Sequence, residues 1–310
     1  MSKTAVSLIM ILFWSSLAAA GIVNVEFNFT PFVGDPIKAD HVETVPGKAS
    51  VYINNVLLAE KEVAKTEVPV LFEEREIAPS VWLPVRSLGP ALRKGKNKIR
   101  IQFEPTDSKV PYHAQLRWAS VTDRVTRTED DPAHVHETNQ SSEGVDEKKA
   151  MGRVEFEREF VADFAADLPW HHYPPVTTLS DEDKKVLAKL VQERVEIFKP
   201  NFAGAYQILK SKWDINPAEI QGARCLDKGY AAGVRVAAHP SDQLDFVVTG
   251  NPEVVIQGKA GSLYYPLDPK AFDRIEGDDV QMCVVMVFSI LYPPRLVVVH
   301  DATGKWAVVY

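Results

Sequence analysis

Several familiar features are missing from this chain. No cysteine lies near residue 20, which closes the route of acylating a Cys at an export cleavage site. Basic charge is in deficit: 35 Lys and Arg stand against 42 Asp and Glu, for a formal net charge of −7. That balance argues against nucleic acid, which needs a basic stripe to displace counterions. It argues equally against an anionic membrane surface as the main partner. Beyond the N-terminus no apolar run reaches the roughly 20 residues of a membrane span. Gly-x-Ser-x-Gly, His-Glu-x-x-His, a P-loop and a dinucleotide glycine fingerprint are all missing, which argues against the commonest hydrolases and nucleotide enzymes. No internal repeat occurs, and no cofactor is expected.

The N-terminus is informative. Met1-Ser2-Lys3 is basic, Ala5 to Leu17 is a compact apolar run, and Ala18-Ala19-Ala20 supplies small residues before Gly21. These are the parts of a secretory signal peptide over residues 1–20. The mature chain is then expected to be a soluble export, periplasmic or extracellular. In an oxidising compartment the two cysteines, Cys225 and Cys283, read first as one disulfide. The alternative is a pair of buried thiols, since Cys283 sits in a strongly apolar run. A content of 45% hydrophobic and 25% charged residues suits a folded globular chain. Its length suits two domains of roughly 100–200 residues each.

Residues 21–168 read as an all-β sandwich. Val23, Val25, Phe27 and Phe29 alternate with polar residues, as do Ile99, Ile101 and Phe103, and Tyr112, Ala114, Leu116 and Trp118. Asn54-Asn55 and Gly95-Lys96-Asn97 mark turns. Thr122 to Gly152 is rich in Asp and Glu with almost no large apolar residue, and is expected as a mobile acidic loop over 122–152. Val154, Phe156 and Phe160 then resume the alternation, which returns the chain to the sandwich, with the Tyr112–Val121 strand as a candidate neighbour.

Pro169 to Pro175 reads as a Pro-rich linker (169–175), after which the period changes. Ser180-Asp181-Glu182-Asp183 starts a helix with Val186, Leu187, Leu190, Val191 and Val195 at helical spacing. Phe202–Leu209 suggests a second helix, and Asn216-Pro217 opens a third through Leu226. Strands follow at Leu244–Thr249, Glu253–Gln257, Val280–Leu291, Arg295–His300 and Lys305–Tyr310. Helices before antiparallel strands make residues 176–310 an α+β domain.

Two resemblances follow from these segments. Val51-Tyr52-Ile53-Asn54-Asn55 with Leu92-Arg93-Lys94-Gly95-Lys96-Asn97-Lys98-Ile99 resembles the galactose-binding-like β-sandwich family, which implies a binding module and transfers no ligand residues. The ending Leu296-Val297-Val298-Val299, then Gly304-Lys305-Trp306-Ala307-Val308-Val309, is similar to NTF2-like domains. That resemblance implies helices over a curved antiparallel sheet, a fold that hosts enzymes, binders and assembly modules alike.

The densest group of candidate ligand-binding residues is Trp170, His171 and His172, with Asp167 near enough to orient an imidazole. A sugar or small acid could stack on Trp170 and be held by a histidine. The competing reading is a rigid linker whose rings dock between domains. His134 and His136 are two apart and would share a strand face, as metal ligands can; the competing reading is a solvated acidic loop, and no metal is expected. Gly277-Asp278-Asp279 reads as a turn more readily than as a calcium or acid–base site. Arg235, His239 and Asp242 surround a short apolar run and could line a pocket. Asn28-Phe29-Thr30 and Asn139-Gln140-Ser141 match the N-glycosylation acceptor.

The leading expectation is an exported, non-enzymatic binding or interaction protein whose partner is a small molecule, a glycan or a protein. One rival is a hydrolase or isomerase with its site in a C-terminal pocket. Another is a structural envelope subunit whose sheet edges pair with partners.

Overall fold

The computed structural model describes residues 22–71, 76–128, 131–211, 215–301 and 303–310, with the backbone alone at 86–87, 123–128, 131–138 and 140–142. The segment read as an export signal, residues 1–20, lies outside the described residues. The chain is mostly β-sheet with a few helices, as an α+β protein is.

The N-terminal half contains β1 (Ile22–Val33), β2 (His41–Thr44), β3 (Gly47–Ile53), β4 (Val56–Val63), β5 (Glu67–Leu71), β6 (Glu76–Ile77), β7 (Val81–Pro84), β8 (Gly95–Pro105), β9 (Pro111–Thr128), β10 (Asp131–Met151) and β11 (Val154–Ala162). One antiparallel sheet runs β10-β9-β1-β2-β5-β6, with β7 also on β1; a second runs β11-β8-β3-β4. Alternation decides which residues face inward. Phe27 and Phe29 of β1 are fully buried, as are Ile99, Ile101 and Phe103 of β8, while the residues between them face out. The two inward faces meet: the Phe29 ring lies 5.7 Å from Phe103 and 6.0 Å from Phe156.

The expected acidic loop is instead a hairpin. β9 and β10 pair from Pro111↔Met151 out to Thr128↔Asp131. Backbone pairing needs no apolar face, and Thr122, Val125, Thr126, Val135 and Thr138 favour extended backbone. Gly144 stands opposite Trp118. A Cβ there would come within 2.4 Å of the indole Cζ2, so the ring requires glycine. The Arg158 guanidinium covers that indole at 3.6 Å, which accounts for a cation on an otherwise apolar strand face. β11 pairs with β8, not with β9, because β10 already occupies the outer edge of β9.

The C-terminal half contains α1 (Asp181–Val195), α2 (Ala203–Lys210), α3 (Pro217–Gly222), α4 (Cys225–Ala231), β12 (Val236–Ala238), β13 (Leu244–Val248), β14 (Val254–Gly258), β15 (Tyr264–Pro266), α5 (Asp278–Leu291), β16 (Arg295–His300) and β17 (Trp306–Val308). Ser180 caps α1 reciprocally: its Oγ accepts from Asp183 N at 3.1 Å, and Asp183 Oδ2 accepts from Ser180 N at 2.9 Å. The expected third helix divides at Arg224, which is left-handed (φ 54°), into α3 and α4.

Val280–Leu291, expected as a strand, is most of helix α5. Its buried residues Val284, Val287, Phe288 and Leu291 recur every three or four positions. Asp278 and Asp279 occupy its first turn, where acids complement the helix dipole. A disulfide joins Cys283 of α5 to Cys225 of α4, as the cysteine count implied. Among the described residues no helix is long and apolar enough to cross a membrane.

The four-stranded sheet β13-β14-β16-β17 is covered on both faces. Val254, Ile256, Leu296 and Val298 pack under the helices. Val255 and Val297, on the other face, pack against Val56 and Leu58 of β4. This is why Val254-Val255-Ile256 and Leu296-Val297-Val298 are buried without alternation. The two halves therefore share an apolar interface.

Candidate functional site

The junction is built from turns. Asn54 and Asn55 both take positive φ (50° and 68°), the geometry of the tight turn joining β3 to β4. Asn55 Nδ2 donates to Thr249 O at 3.0 Å, and Asn251 Nδ2 donates to Asn54 O at 2.7 Å. Arg93 reaches across the same junction. Its Nη2 donates to both carboxylate oxygens of Glu253, which is 1% exposed, and its Nη1 donates to His171 O at 2.8 Å.

The segment read as a linker, residues 169–175, joins this lock through His171. His171 is buried, with Nε2 2.8 Å from Pro90 O and Nδ1 accepting from Leu168 N at 3.4 Å. Both ring nitrogens are thus engaged within the protein, and burial holds its pKa below the ordinary histidine value. Trp170 stands edge-on to His171 at 5.7 Å. Asp167 does orient an imidazole, that of His172, at 2.6 Å on the surface. The expected cluster is therefore brought together in part: His171 is buried at the junction with Trp170 beside it, and the Asp167–His172 pair faces solvent.

The other candidates separate. His134 and His136 fall in β10, and their side chains lie outside the described set. Among the described residues no three His, Cys, Asp or Glu are placed to hold a metal. Arg235 Nη1 donates to Tyr230 O and Val234 O, while Asp242 lines a shallow cleft with Lys184, Lys185 and Lys259. Asn28 and Thr30 lie within β1, Asn28 paired on both sides and Thr30 with Gln115 of β9, and Thr30 is buried.

A concavity of about 510 Å³ lies between the linker and the β16–β17 hairpin, lined by Tyr173, Asp183, His300, Asp301 and Trp306. Its carboxylates already serve the fold. Asp183 accepts from Trp306 Nε1 and Ser180, and Asp301 Oδ1 closes the hairpin turn on Thr303 and Lys305.

The junction cleft, about 390 Å³, differs in that respect. Leu57 and Leu58 of β4 form one wall; Arg194, Ser289, Ile290, Pro293, Arg295 and Val297 form the other, with Tyr310 also lining it. Arg194 Nε donates to Leu291 O at 2.6 Å. Burial lowers the Arg194 pKa, and burial raises those of its neighbours Tyr264 and Tyr292. Arg295 pairs with Glu60 across the junction, but its buried Nε has no partner among the described residues, and neither has Tyr310 Oη. These donors are what sequence reasoning missed. They come from separate elements, and no local motif marks them.

The chain matches no protein-family model, no curated protein and no solved structure.

Proposed function

We propose that this chain is an exported, non-enzymatic binding protein that takes a small ligand in the cleft between its two halves. One observation carries the reading: both halves wall a single cleft, apolar at Leu57, Leu58, Ile290 and Val297, with Arg194 in its lining and in no ion pair among the described residues. Its size falls in the usual range for ligand pockets, roughly 300–1,000 Å³. The buried lock of Arg93, Glu253 and His171 holds the halves in register, which lowers the ordering cost of binding. The space between helices and sheet, where the enzyme reading would put its chemistry, is filled by an apolar cluster including Leu187, Leu226, Val284 and Ile256. The facing sheets of the N-terminal half support the sandwich reading. The helices over one face of β13-β14-β16-β17 support the NTF2-like one, although α5 interrupts its strand order.

The test is a thermal-shift screen of the full chain against sugars, small acids and divalent metals, with a chelator control. A ligand at about 100 times its Kd stabilises by roughly 2.7 kcal/mol, a visible rise in midpoint. Ser289→Trp, from the exposed face of α5 at the cleft wall, should remove the shift. A flat response across the panel, or a hit indifferent to Ser289→Trp, would overturn the reading.

A further inference from the structure

We propose that the junction cleft takes an apolar molecule ending in a carboxylate, with Arg194 as its counter-ion; this rests on the cleft being a binding site. The argument begins with an imbalance. A guanidinium carries five N–H donors and a permanent charge. Arg194 places one donor, Nε, on Leu291 O, and forms no ion pair among the described residues. A partly buried charge is costly unless paired.

Among the described residues no carboxylate pairs with Arg194, and the C-terminal turns of α1 and α5 beside it offset its charge only in part. The side chains that sense it electrostatically are Tyr264 and Tyr292, and burial keeps both phenols protonated. Tyr292 Oη donates to Val195 O at 3.3 Å. Arg295, on the same wall, differs because it pairs with Glu60. The site as built therefore lacks a carboxylate partner for Arg194.

The rest of the lining sets the remainder of the ligand. Leu57, Leu58, Ile290 and Val297 present hydrocarbon, and a fully polar anion such as sulfate would leave those walls wet. A carboxylate matches the planar fork of arginine and an alkyl tail matches the walls.

Octanoate, octanol and octylamine titrated into the full chain by calorimetry test this. Octanoate should bind and octylamine should not. Arg194→Gln should weaken octanoate by about tenfold or more, the scale of one charge-assisted hydrogen bond. Ser289→Trp, at an exposed helix position, should abolish octanoate binding and keeps the test valid if Arg194→Gln fails to fold. Equal binding of octanol and octanoate, or octanoate binding indifferent to both variants, would overturn the carboxylate assignment while leaving a ligand cleft. Failure of all three probes together with a flat screen would overturn the cleft reading itself.

Discussion

Arg93 Nη2 sits 2.8 and 2.6 Å from the two carboxylate oxygens of Glu253, a residue 160 positions away and 1% exposed. The pair joins the two halves of the chain in a setting shielded from water. Removing one partner from such a pair leaves an uncompensated buried charge, at a cost of about 3–5 kcal/mol. Glu253→Gln should therefore lower the urea midpoint sharply. Replacing both residues, Arg93→Met with Glu253→Leu, should recover much of the loss. A midpoint unchanged in Glu253→Gln would show that the junction does not depend on this pair.

His171 gives the junction a pH dependence of definite sign. Burial depresses its folded-state pKa, while the unfolded chain keeps the ordinary value near 6.5. The unfolded state then binds more protons as pH falls, so stability is full above about pH 6.5 and is lost below it, toward the folded pKa. The slope from this one group is at most about 1.4 kcal/mol per pH unit. Denaturation midpoints measured from pH 7.5 to 5 should fall more steeply for the native chain than for His171→Gln, which has no proton to gain.

How much of this could be read from residues alone depends on what burial leaves in the pattern. Phe27, Asn28 and Phe29 alternate because one face of β1 packs inward, and the period of two is legible. The helix α5 was not, because Met282 and Val285 are apolar yet 70% and 48% exposed. With hydrocarbon on both faces the helical period fades, and Val280–Leu291 passes for a strand. The β9–β10 hairpin was illegible for the opposite reason: a ladder held by backbone hydrogen bonds leaves no apolar trace. The linker cluster was found as a group, since its members are adjacent in the chain. Arg194 and Arg295 were not, since the cleft assembles only when β4 docks on the sheet of the second half. The cysteine pair was legible through chemistry rather than pattern.

The Cys225–Cys283 disulfide spans a sequence separation of 58 and ties α4 to α5. Closing a loop of that length restricts the unfolded chain, by about 4 kcal/mol in the chain-entropy picture. Cys225 is fully buried, so a lone thiol left there gains no new contact. Cys225→Ser with Cys283→Ser should lower the thermal midpoint by several degrees or more, and reductant should lower that of the native chain but leave the double variant unchanged. Equal response of both to reductant would show that the bond carries no stability.

Gly144 offers the sharpest steric test in the N-terminal half. The Trp118 indole lies over its Cα, and an added Cβ would meet Cζ2 at 2.4 Å and Cη2 at 2.9 Å. The ring has little room to retreat, because the Arg158 guanidinium lies 3.6 Å from its centroid, and Arg158 is held by Asp146 at 3.6 Å. Gly144→Ala must then displace the indole or the strand, a strain of about 1–3 kcal/mol by comparison with other overpacked sites. Trp118→Leu removes the obstacle, so the alanine should cost far less in that background, and the double-mutant cycle measures the coupling between the two positions. Tryptophan fluorescence of Gly144→Ala should also shift as the indole leaves its slot between the glycine and the guanidinium. Additivity of the two substitutions in urea denaturation would show that the contact does not constrain the hairpin.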